Sequence, residues 1–228
     1  MRTVLAGGLA MLALSAMTST ALAVTKAPEF KPADGQSMTS TGGEFKLEYY
    51  SGIITCKNET MTGGSVTGKY TVGKVKLTFT GCVVTTSNGG VDGCPESSTG
   101  AGHEGEIVIY PLKGQLGTVP TTEAANGVGL LLEPETREEW AKLAKTEKEG
   151  KNCSIEQALT GKLAVGVGVL GSKQVTNKFT TALYQGRNIR EIKLASGETV
   201  KPKLVSFGET AELIGVGEVK FGEATEVT

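Results

Sequence analysis

The 228-residue chain has one histidine, one tryptophan, two aspartates and four arginines, and each scarcity removes a class of chemistry. A Ser-His-Asp site would have to use His103, with only Asp34 and Asp92 as aspartate partners, and no G-x-S-x-G elbow accompanies them. A histidine-based zinc site fails for the same reason. The closest cysteine pair, Cys82 and Cys94, is twelve residues apart, whereas structural zinc sites use close C-x-x-C-like pairs. Arginine is the side chain suited to bidentate phosphate or carboxylate recognition, and 19 of the 23 basic residues are lysine instead. The formal charge of −1 gives no electrostatic reason to expect nucleic acid or an anionic membrane as partner.

Aromatic residues are sparse, and glycine is abundant at 32 residues. The glycines lack a three-residue period, which excludes collagen, and recurring apolar runs argue against disorder. Many short strands joined by glycine turns fit best.

The N-terminus has the three regions of a secretory signal. Arg2 supplies the charge, Val4 to Met17 is an uncharged apolar run of about fourteen residues, and Ala21-Leu22-Ala23 ends it in small side chains. A membrane-spanning helix needs roughly twenty apolar residues, so cleavage after Ala23 is the better reading. No cysteine follows to take a lipid, and Val219 to Thr228 is too polar for a membrane tail. The mature chain is therefore expected outside the cytoplasm, free in solution, with no integral membrane segment.

Export gives the four cysteines their meaning. Cys56, Cys82, Cys94 and Cys153 read as two disulfides of an oxidising compartment. Cys82 and Cys94 are equidistant from Asn88 in a glycine-bearing turn, Thr86-Ser87-Asn88-Gly89-Gly90. A hairpin closed there would set them nearly opposite each other. The preferred pairing is Cys82–Cys94 with Cys56–Cys153.

Residues 24–43, rich in Pro, Thr, Ser and Lys, read as an extended N-terminal segment, and 44–228 as a single β-rich domain. Phe45, Leu47 and Tyr49 alternate with Lys46 and Glu48, and Val75, Leu77 and Phe79 alternate with polar residues, each a half-buried strand. Ile107 and Ile109 mark another strand. Further candidates are 66–72, 128–132, 163–170, 178–184, 189–194, 209–214 and 217–221.

One stretch has helical spacing. From Glu133 to Gly150, Thr136 and Glu139 match a capping box, acids crowd the first turn, lysines follow, and Trp140, Leu143 and Ala144 form a narrow apolar stripe. The fold expected is all-β, an antiparallel barrel or sandwich, with one short peripheral helix near 135–149. An aromatic–Cys–Thr-Gly-Lys pattern occurs twice, at Phe45…Cys56…Lys69 and Trp140…Cys153…Lys162. It raises the idea of two pseudo-equivalent halves, 44–132 and 133–228.

The remaining candidate sites are weak. His103 sits among glycines and reads as an exposed loop residue. Glu104 with Glu106, or Glu44 with Glu48, could form the carboxylate pair of a glycosidase, although alternating glutamates normally mark a solvated strand face. Trp140, Tyr49 and Tyr50 could stack on sugar rings, with a core role more natural for Trp140. Asn88 to Gly93 offers oxygen ligands but not the density of a calcium loop. Gly161 to Gly171 lacks the order of a phosphate loop and suits close strand approach. Asn58-Glu59-Thr60 and Asn152-Cys153-Ser154 match the glycosylation triplet. No catalytic residue, cofactor or metal is assigned.

Phe79-Thr80-Gly81-Cys82, Cys94, Gly105-Glu106-Ile107, Leu112-x-Gly114-x-Leu116-Gly117, Val128-Gly129-Leu130 and Cys153 together resemble a family of exported β-rich proteins of soil actinobacteria whose function is unknown. The resemblance runs from Phe45 to Tyr184 and departs from the family pattern at Thr136 to Lys151. It implies a shared β framework and a bacterial source, in which the glycosylation triplets would be accidental, and carries over no site residue. The function expected is a non-catalytic exported structural or binding module, with a cell-envelope component or small ligand as partner. The alternatives are a secreted carboxylate-dependent hydrolase and a carrier of a small apolar ligand.

Overall fold

The structure, a computed structural model, describes residues 27–31, 33–49, 52–86, 93–100, 102–120, 127–148, 151–154, 156–167, 178–182, 189–222 and 225–227. The expected signal segment, residues 1–23, and the oxygen-rich positions Asn88 to Asp92 lie outside them.

The chain is all-β and antiparallel, and it closes into a barrel. Two long strands, Met38–Tyr49 of 12 residues and Glu209–Phe221 of 13, run side by side down its middle. Because each is too long for one curved sheet, different neighbours pair with its two ends, and the barrel has two lobes.

In the first lobe the sheet runs from Glu209–Phe221 through Met38–Tyr49, Asn58–Gly68, Thr71–Thr80 and Leu112–Thr118 to Val128–Pro134 and Leu163–Gly166. Lys178–Ala182 pairs with the other edge of Glu209–Phe221 and lies beside Leu163–Gly166, closing the ring. In the second lobe the far end of Met38–Tyr49 pairs with Gly52–Cys56, which pairs with Val83–Thr86 and then Cys94–Pro95. Ser97 to Thr99 bonds onward to Glu139–Leu143, and Gln157–Gly161 and Leu204–Ser206 lead back to Glu209–Phe221.

The transition between lobes falls at a bulge between Gly42 and Phe45 and, opposite it, at Gly215. A Cβ on Gly215 would stand 2.3 Å from the Phe45 ring, so the ring covers a position that only glycine leaves open. Such aromatic cover offsets what a strand loses by carrying glycine.

The alternation read in the sequence holds where it was strongest. Phe45 and Leu47 are buried while Glu44 and Lys46 face out, and Val75, Phe79, Ile107 and Ile109 are in the core. Leu130 and Leu132 point into the first lobe and Leu131 into a small outer cluster with Ile189, Ile192 and Leu194. Burial on both faces explains the unbroken apolar run from residue 128 to 132. The framework glycines have separate roles. Gly114 faces inward, where a Cβ would be 2.9 Å from Leu132 and Val72, and Gly117 lies under Ile192, 2.6 Å from where its Cβ would be.

The strand beginning at Met38 starts inside the segment expected to be an extended lead-in, and Phe30, buried against Phe221 at 6.3 Å between rings, ties that segment down further. The stretch 66–72 is a hairpin corner: Val66 and Val72 are cross-strand partners. The candidates 209–214 and 217–221 are one strand. In each lobe the strands up to Val128–Pro134 form one continuous arc and the later strands form the other.

The helix expected near 135–149 does not form. The residues described there make the strands Glu139–Leu143 and Thr146–Lys148. Trp140 and Leu143 are three apart, a spacing that strict alternation would send to opposite faces. A bulge between Glu139 and Ala141 inserts Trp140 as an extra residue and brings both side chains into the core. The charges read as helix-surface residues serve strands instead: Lys142 pairs with Glu156 and Lys145 with Glu147.

The preferred cystines are also corrected. Cys56 is bonded to Cys82. Gly52–Cys56 pairs with Val83–Thr86 and Asn58–Gly68 with Thr71–Thr80 in one continuing register, so residues 52–86 form a long hairpin turning at Lys69 and Tyr70. Cys56 and Cys82 face each other across it. Val83–Thr86 and Cys94–Pro95 pair two residues out of the expected register: Cys94 pairs with Val84, and the Glu96 N–H donates to the Cys82 carbonyl. Cys94 is itself disulfide-bonded, and Lys151–Ser154, which carries Cys153, passes beside Cys94–Pro95.

Candidate functional site

Each lobe encloses apolar space. The first holds a cavity of about 80 Å³ lined by residues including Met38, Met61, Leu130, Leu163 and Val165, and the second one of about 30 Å³ beside Ile54, Leu143 and Leu204. Phe45, Phe79, Trp140 and Leu213 line both and form the wall between them. Phe45 and Phe79 meet edge to face at 5.3 Å, and the Trp140 ring N–H donates to the Gly161 carbonyl at 2.8 Å. That bond satisfies the polar atom of a ring that is 1% exposed.

One acidic side chain enters the first cavity. Asn58–Gly68 turns Glu59 and Met61 inward while Asn58, Thr60 and Thr62 face out. Glu59 is 4% exposed and lies cross-strand from Phe79 on one side and Gly42 on the other. The Ser40 hydroxyl, on the neighbouring strand, donates to Glu59 Oε1 at 2.6 Å. Burial pushes the Glu59 pKa above the ordinary carboxyl value, and the Ser40 hydrogen bond opposes only part of that rise. The neutral form it favours can donate a proton in a hydrogen bond as well as accept one.

The glutamates of the two candidate pairs face outward. Glu44 pairs with Lys46 at 3.2 Å on the outer face, and Glu48 shares that face, so these two solvate a strand. Glu104 is exposed, and Glu106 lies 3.7 Å from the ring of His103, which is 75% exposed in its loop. Neither candidate pair faces across a cleft. Glu133 is placed between Lys162 at 2.7 Å and Lys113 at 3.4 Å. Burial alone would raise its pKa, but the hydrogen bonds and charges of the two lysines bring it below the ordinary value.

Trp140 is a core anchor and offers no platform. Tyr49 packs against Phe207 at 5.6 Å, with its hydroxyl pKa pushed up to about 12, first by burial and then by the charge of Glu96. Tyr50 lies outside the described residues. Asp34 is exposed. Gly161 belongs to no anion loop: at φ +98° it lets the Lys203 carbonyl approach to 2.1 Å of where a Cβ would be. Among the described residues no group of three or more His, Cys, Asp or Glu could hold a metal ion. Nor is any helix among them long and apolar enough to cross a membrane.

The sequence reading missed Glu59 and Ser40. Glu59 is three residues from the inward Cys56, the wrong parity for a shared face, and the phase resets at the exposed residues Lys57 and Asn58. The available signal was Met61, two residues on. Ser40 was hidden because its segment was read as lying outside the sheet. No family model, curated protein or solved structure matches the chain.

Proposed function

We propose that the chain is an exported, non-catalytic β module of the cell exterior, with a structural or binding role. The observation that carries this reading is the distribution of charge. The glutamates named as a possible acid–base pair lie on outer faces beside lysine or histidine, and the lobes are packed with apolar side chains. The export-type N-terminus of the sequence and a cross-strand cystine in a buried position agree with an oxidising compartment. Expression of the full chain in a secreting bacterial host tests it. A released protein beginning at Val24, sedimenting with isolated cell walls and inert toward a panel of glycosides, is expected. Retention in the cytoplasm, or turnover abolished by Glu106→Gln or Glu48→Gln, would sink it.

A second reading, carriage of a small ligand, is favoured by one observation, the carboxyl in the first cavity. Its volume of about 80 Å³ is well below the roughly 300–1,000 Å³ of drug-sized sites, so this reading requires a very small ligand.

A further inference from the structure

Glu59 is an unusual choice for its position. A buried carboxyl is costly unless its polar atoms find partners, and Ser40 is the hydrogen-bond partner it has among the described residues, through Oε1. Apart from Ser40 the surrounding side chains are apolar, from Met38 and Met61 to Leu130, Leu163 and Val165, with Phe79 directly across the ladder. A leucine would fill this place better if packing were the only demand. The space left beside the carboxyl is about 80 Å³, compared with about 150 Å³ for a dry apolar cavity that admits benzene. It therefore suits a molecule of about three or four non-hydrogen atoms.

We infer that this cavity is a binding site for a small uncharged molecule with a short alkyl part and one hydroxyl group, the hydroxyl hydrogen-bonded to Glu59 and the alkyl part against Met61, Leu130 and Val165. The inference rests on the ligand-carrier reading and gives it a chemical class. The neutral carboxyl favoured by burial offers the hydroxyl a donor and an acceptor. Ser40 fixes the carboxyl's orientation from the adjacent strand. Charged amines are disfavoured because the polar side chains in the lining are Glu59 and Ser40, and the Ser40 hydroxyl already donates to the carboxyl.

The test uses the whole mature protein, with methyl NMR of its methionines and leucines and three probes: 1-propanol, propylammonium and xenon. Saturable shifts with 1-propanol confined to Met38, Met61 and Leu130 are expected. Glu59→Leu should weaken propanol about tenfold, the loss of one buried hydrogen bond, while leaving xenon binding in place. Val165→Phe, which fills the space, should abolish both. Should Val165→Phe not fold, the Glu59→Leu comparison still decides. Xenon binding with no preference for propanol overturns the hydroxyl class but leaves a carrier of apolar molecules. Tighter binding of propylammonium overturns the uncharged class. No saturable shift with any probe overturns the site and the carrier reading together.

Discussion

Replacing Cys56 and Cys82 together by alanine opens a loop of 26 residues, and the stability lost follows from the geometry. On the chain-entropy relation, closing a loop of that length removes about 3.5 kcal/mol of freedom from the unfolded state at room temperature. For a chain of this size each kcal/mol moves the melting temperature by roughly 2 to 4 °C, so a fall of roughly 7 to 14 °C is expected. Both cysteines are buried, Cys56 at 5% and Cys82 at 0% exposure, so lost packing adds to the effect. The only tryptophan, Trp140, sits in the wall between the lobes, and its fluorescence reports unfolding in urea or heat. The same change should follow chemical reduction of that bond alone. Non-reducing mass mapping should join Cys56 to Cys82 and Cys94 to Cys153. The reasoning is refuted if mapping joins Cys82 to Cys94, or if the double variant loses less than about 1 kcal/mol.

Gly215→Ala should cost about 1 to 3 kcal/mol in urea titration, because the new Cβ meets the Phe45 ring and over-packs a filled core. Trp140→Phe should cost about 1 to 3 kcal/mol, since it leaves the Gly161 carbonyl without its ring N–H donor. The raised Glu59 pKa means the folded state binds the proton more tightly than the unfolded one. Its contribution is complete below about 4.5 and is lost as pH rises through the folded value. Glu59→Gln should remove that decline from a plot of unfolding free energy against pH. Glu133 has the opposite sign: its lowered pKa contributes stability above about 4.5 that is lost as pH falls through the folded value. Glu133→Gln should flatten the acid limb of the same plot.

Local periodicity in the sequence was enough to establish the β class, the inward faces of Phe45, Leu47, Val75 and Phe79, and the strand from residue 128 to 132. Side chains two apart on a strand share a face whatever the strand pairs with. The features it concealed depend on register and phase, which partners set. Cys56 meets Cys82 because the hairpin turns at Lys69 and Tyr70, and Cys94 misses Cys82 because its strand pairs two residues out of the expected register. Trp140 and Leu143 imitate a helical stripe because a bulge shifts the phase of their strand. Glu59 turns inward because the strand resets its phase after Cys56. A one-residue shift exchanges the two faces of a strand, so the cystine, the bulge and the buried carboxyl were decided only when the sheet closed around its two long strands.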